Sequence, residues 1–138
     1  MMIFGKSKTK NSMAKTVVFS SAAPAPIGPY SQAIQAGNML FVSGQIAIQQ
    51  STGSMITANI EEEAHQVMKN IEEVLRAAQF NFTHVVKTTI FLSDMNNFPK
   101  VNAVYGSYFT AEPPARETVQ VSRLPKDVNV EISCIAVK

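Results

Sequence analysis

From residue 60 to residue 78 the apolar side chains recur three and four positions apart: Ile60, Ala64, Val67, Met68, Ile71, Val74, Leu75 and Ala78. Only an α-helix gathers that spacing onto one stripe, and a stripe this wide must be covered by something. Asn59 precedes the run and can accept a hydrogen bond from a first-turn N–H. Glu61, Glu62 and Glu63 follow it, where the helix dipole favours anions. These glutamates have a structural role, so no metal site is assigned to them. His65 lies at the same polar end and is read as a solvated surface histidine.

The cover for that helix is a sheet. Residues 15–19 are rich in β-branched and apolar side chains and read as a strand. Residues 22–29 hold three prolines and a glycine, which permits a stiff extended loop and little else. Residues 30–35 and 39–43 flank Gly37-Asn38, a pair that closes hairpins. Residues 44–53 read as a strand end and turn. Residues 84–92 are nearly continuous in apolar and β-branched character and read as a central strand. Residues 97–109 form a second helix, with Phe98, Val101, Val104, Tyr105, Tyr108 and Phe109 on one face. Pro113-Pro114 ends it, and strands 115–123 and 128–137 follow. The order β-β-β-α-β-α-β-β places two helices against one mixed sheet, the α+β class.

The chain has 138 residues, enough for one domain, here 13–138. Residues 1–12 lack the apolar core of a secretory signal and are expected to be a disordered N-terminal extension. They carry Lys6, Lys8 and Lys10, and without these lysines nine basic residues stand against ten acidic ones. The charge therefore makes no case for a nucleic-acid partner. A single cysteine, Cys134, rules out an intrachain disulfide and suits a reducing, cytoplasmic setting. On its apolar strand face it reads as a buried inert thiol rather than a nucleophile. One cysteine with His65 and His84 matches no zinc spacing, and no apolar run suggests a membrane span. Glycine-rich phosphate loops and a G-x-S-x-G elbow are also absent from the sequence.

Chemistry concentrates in the last two strands. Arg116, Thr118, Gln120 and Ser122 alternate onto one face of the first, while Val130, Ile132, Cys134 and Ala136 line one face of the second. The short connection between them predicts antiparallel pairing. If the apolar faces meet the helices, Arg116 and Glu131 emerge together on the opposite face. That face is either an ordinary solvated one or a binding site. Arg116 follows the rigid Pro113-Pro114-Ala115 turn, a well-fixed place for a residue that grips carboxylates bidentately. Glu131 could pair with Arg116 or hold a water.

Several ordered motifs resemble one family. They are residues 25–33 (APIGPYSQA), 37–46 (GNMLFVSGQI), 86–92 (VKTTIFL), Pro114-Ala115-Arg116, and 123–128 (RLPKDV) followed by Glu131. Together they are similar to the RidA proteins, the YjgF/YER057c/UK114 family, over almost all of residues 13–138. The resemblance implies a chorismate-mutase-like fold, with two helices on one face of a mixed sheet. It also implies a homotrimer with intersubunit sites, and no cofactor or metal. The implied activity is hydrolysis of 2-iminobutanoate and 2-iminopropanoate to 2-keto acids and ammonia. By the same resemblance Arg116 grips the substrate carboxylate and Glu131 positions or activates water. Tyr30, Ser43, Gly44, Asn102 and Thr118 complete the binding set. Thr118 stands where the family pattern has a cysteine, which removes a thiol that imine hydrolysis does not need. The rival readings are a non-catalytic keto-acid-binding or chaperone-like module, and the endoribonuclease-type translation inhibitor reported for some family members.

Overall fold

A computed structural model describes residues 14–138. The expected extension at 1–12 lies outside the described residues. Six strands form one sheet: β1 (Lys15–Val18), β2 (Ala33–Ala36), β3 (Met39–Gln45), β4 (Val85–Leu92), β5 (Ala115–Gln120) and β6 (Val130–Val137). Two helices, α1 (Ile60–Ala77) and α2 (Phe98–Gly106), pack on one of its faces. Single 3₁₀ turns at Phe82–His84, Met95–Asn97 and Pro125–Asp127 complete the described elements. The sheet order is β1-β2-β3-β6-β4-β5. Every pairing is antiparallel except β4 with β5. That exception follows from the connection, since α2 joins β4 to β5 as a crossover and a crossover returns the chain parallel.

The alternation expected for β6 is present. Val130, Ile132, Cys134 and Ala136 are buried beneath Val67, Ile71 and Val74 of α1. The β2–β3 hairpin turns at Gly37, whose φ of 60° with a negative φ at Asn38 fits glycine at the first turn position. Asn59 caps α1 as expected, its side chain accepting the Glu62 N–H at 2.8 Å.

The pairing expected for the last two strands is not found. β4 lies between β5 and β6. Residues 121–129 are long enough to pass the end of an intervening strand, and the turn within them drives Lys126 and Asp127 to φ of 57° and 55°. A bidentate Arg123–Asp127 contact closes that turn, with Nε–H donating to Oδ1 at 2.7 Å and an Nη2 hydrogen to Oδ2 at 3.3 Å.

Glu63 differs from its two neighbours. It is wholly buried, and its carboxylate accepts the Asn129 N–H at 2.7 Å and the Asn129 side-chain amide at 2.8 Å. It therefore pins the start of β6 to α1, a role its first-turn position alone did not reveal. Glu63→Ala strands two part-buried donors and leaves a cavity. An expected loss of about 2–4 kcal/mol is checked by urea unfolding, with Glu63→Gln retaining more stability than the alanine variant.

Candidate active site

The loop before β2 and a break in β3 build one cleft. Gln32 is buried and stitches the proline-rich loop: it accepts the Ser20 N–H at 2.6 Å and donates to the carbonyls of Ser20 and Pro24 at 3.1 and 2.8 Å. Ser43 fixes the same loop to β3, donating from its hydroxyl to the Ser31 carbonyl at 2.6 Å and from its N–H to the Gln32 carbonyl at 2.9 Å. Between Val42 and Gln45 the β3–β6 register slips, so Ser43 and Gly44 together oppose one residue of β6. Such a bulge opens a strand locally.

The side chain of Glu131 fills the opening. A Cβ on Gly44 would lie 2.0 Å from Glu131 Oε2. Glycine is needed here for space, because its φ is not in the left-handed region. Glu131 is half-buried and has no hydrogen bond or ion pair among the described residues. Burial pushes its carboxyl above the ordinary glutamate range. The cleft it faces has a volume of about 370 Å³. Tyr30, Ser43 and Gly44 line it. Ile27, Ile46 and Pro125 also line it. They were not among the expected site residues, although all three lie within the motifs that carry the resemblance.

Arg116 is elsewhere. It pairs in register with Thr88, which pairs with the buried Cys134, whereas Glu131 pairs with Phe91, which pairs with Val119. In-register neighbours share a face. Arg116 therefore stands on the helix face and Glu131 on the other, contrary to the shared face expected from alternation. The reason is β4: placed between the two strands, it sets each register independently.

Arg116 lies against α2. Its Nη1 donates to Asn102 Oδ1 at 2.8 Å, and its guanidinium carbon sits 4.9 Å from the Tyr105 ring centroid and 5.6 Å from that of Phe98. No carboxylate among the described residues pairs with it. Thr118 shares its strand face, and the Thr118 hydroxyl oxygen is buried with no hydrogen-bond partner among the described residues. The expected residues thus form two groups: Tyr30, Ser43, Gly44 and Glu131 in the cleft, and Asn102, Arg116 and Thr118 beside α2.

The remaining titratable candidates are bland. Burial pushes the Cys134 thiol up to about 12, so it stays protonated and inert at neutral pH. His65 is exposed, with Nδ1 3.0 Å from the Tyr108 hydroxyl. Among the described residues no group of three or more His, Cys, Asp or Glu side chains could hold a metal. No described helix is long and apolar enough to cross a membrane.

The family model described as endoribonuclease L-PSP matches residues 20–138. The chain belongs to this family, the RidA or YjgF proteins. It is 52% identical to a RutC family protein of Pyrococcus horikoshii over 124 residues, 90% of this chain and 98% of the relative. It is 44% identical to the 2-iminobutanoate/2-iminopropanoate deaminase of Mus musculus over 128 residues, 93% of this chain and 95% of the relative. Its fold superposes on that of E. coli TdcF, solved with bound serine, with a TM-score of 0.86 at 38% identity, covering 89% of this chain and 98% of the other. Deaminase activity is therefore present within the RidA family, and the α+β fold is the family's.

Proposed function

We propose that this RidA-family chain hydrolyses 2-imino acids, such as 2-iminobutanoate and 2-iminopropanoate, to 2-keto acids and ammonia. The observation that carries the reading is Glu131: a half-buried carboxylate without a partner among the described residues, facing a small cleft. A general base needs its lone pairs free, and a raised pKa brings it closer to the operating pH. The name of the mouse relative supports the substrate class. Serine bound to TdcF is an amino acid with the same carboxylate handle.

The reaction begins when an enamine is protonated on carbon to give the protonated imine, an iminium ion. Arg116 grips the substrate carboxylate and orients the imine carbon. Glu131 takes a proton from water as the water oxygen bonds to that carbon, and the C=N electron pair moves to nitrogen. The resulting carbinolamine is protonated on nitrogen by Glu131. Its C–N bond breaks, ammonia leaves, and loss of the hydroxyl proton forms the keto group. One water is consumed and one ammonia released. Tyr30, Ser43 and Gly44 shape the cleft, while Asn102 and Thr118 attend the arginine.

Because Arg116 and Glu131 occupy opposite faces of one sheet, the reaction centre forms between copies, Arg116 of one chain completing the cleft of the next. A homotrimer is the arrangement proposed. Apolar side chains left open on the sheet face away from the helices support it, with Val17 61%, Phe41 41% and Val119 40% exposed. Burial of such a patch stabilises association.

The test is the lifetime of 2-iminobutanoate, generated from threonine by a dehydratase and trapped competitively with semicarbazide. Wild type is expected to accelerate its loss. Glu131→Gln should reduce that acceleration by about 10²-fold or more. As pH falls through the raised carboxyl value, wild type loses its base, so its acid limb lies above the ordinary glutamate range. Glu131→Gln lacks that limb. A folded wild-type protein that leaves the imine lifetime unchanged overturns the proposal.

A further inference from the structure

Phe98, Asn102 and Tyr105 are spaced i, i+4 and i+7 along α2, so one face of the helix presents a ring, an amide and a second ring. All three touch the guanidinium of Arg116. Tyr105 is anchored at its far end as well. Its hydroxyl lies 2.7 Å from Thr88 Oγ1, and the two residues are 5% and 1% exposed. Thr88 is also the in-register neighbour of Arg116 on β4. The ring is thus fixed by α2 at its root and by β4 at its tip, immediately beside the strand that carries the arginine.

We infer that Tyr105 is a positioning residue for Arg116: its ring face holds the guanidinium in the orientation that meets a substrate carboxylate. The inference rests on the reading of Arg116 as the carboxylate grip. An arginine on an edge strand has many rotamers, and a cation over an aromatic face loses most of them at little desolvation cost. Asn102 occupies one N–H of the five, leaving the others for a bidentate contact. Any buried tyrosine needs a partner for its hydroxyl, but core filling alone would not need the cation on its face.

The test compares Tyr105→Leu, Tyr105→Phe and wild type. Tyr105→Leu removes the ring and should raise KM for 2-iminobutanoate about tenfold, leaving kcat within about threefold, because the lost contact serves ground state and transition state alike. Tyr105→Phe keeps the ring and should hold KM within about threefold of wild type. Two readouts work without turnover. The Kd for 2-oxobutanoate, measured by calorimetry, should weaken by the same factor as KM. Rotation of the Arg116 guanidinium, followed by ¹⁵N NMR, should be hindered in wild type and Tyr105→Phe and fast in Tyr105→Leu.

Weakened Kd and faster rotation without any wild-type turnover would sink the hydrolase reading and uphold the positioning role. Turnover with unchanged KM, Kd and guanidinium rotation in Tyr105→Leu would do the reverse. Should wild type neither turn over nor bind, the rotation alone decides. A loss in Tyr105→Phe equal to that in Tyr105→Leu also overturns the role assigned to the ring. If Tyr105→Leu does not fold, Phe98→Leu at the half-buried second ring replaces it, with an expected two- to threefold rise in KM and faster guanidinium rotation; no change in either overturns the inference.

Discussion

Gly44→Ala is expected to abolish measurable acceleration of imine hydrolysis while changing nothing chemical in the site. The added Cβ would stand 2.0 Å from Glu131 Oε2 and 2.8 Å from its carboxyl carbon. No rotamer of alanine relieves that, since a Cβ has none. Either the carboxylate swings out of the cleft or the bulge at Ser43-Gly44 closes. Both displace the proposed base, so kcat should fall about 10²-fold or more. Overpacking also costs stability, about 1–3 kcal/mol by denaturant unfolding. The mechanism is separable by a double-mutant cycle. In a Glu131→Ala background the clash has no partner, so the same Gly44→Ala change should be nearly neutral in stability. An equal penalty in both backgrounds would show that Gly44 serves the strand and not the carboxylate.

Arg116→Ala carries the other large effect. It removes the positive charge beside α2, whose hydrogen bond goes to Asn102 and which has no acidic partner among the described residues. A charge-assisted bidentate contact to a carboxylate is lost, so kcat/KM should fall about 10²–10³-fold. Binding of 2-oxobutanoate should weaken in parallel. Stability should change little, because no buried ion pair is broken. Unaltered imine hydrolysis by a folded Arg116→Ala protein would remove Arg116 from the mechanism. Together with Gly44→Ala this tests the two groups of site residues separately, one on each face of the sheet.

Buried Asn70 shows how the core and the cleft share supports. Its amide donates to the carbonyls of Ile46 and Ile48 at 3.0 and 2.9 Å, holding to α1 the segment that forms one wall of the cleft. Glu63 does the same for the start of β6, two residues before Glu131. Polar side chains on the inner stripe of α1 therefore fix the strand segments that carry the site.

Local periodicity determined much of this protein. The apolar stripe of residues 60–78, the Asn59 cap, the Gly37 turn and the alternation of β6 are nearest-neighbour properties, and each is realised. The cleft residues Tyr30, Ser43 and Gly44 came from the resemblance, Glu131 was already singled out by strand alternation, and the fold brings these four together. Tertiary structure alone decided what lies beside what. Alternation sorts the side chains of a strand into two sets, but the pairing partner determines which set faces the helices. With β4 inserted between β5 and β6, Arg116 joined the helix face and Glu131 the open one. For the same reason Tyr105 read as core from its helical spacing, and its second contact, with Arg116, became visible only when β5 was placed alongside α2. Gly44 makes the same point from the backbone: its dihedral angles demand no glycine, and only the carboxylate of a strand distant in sequence does.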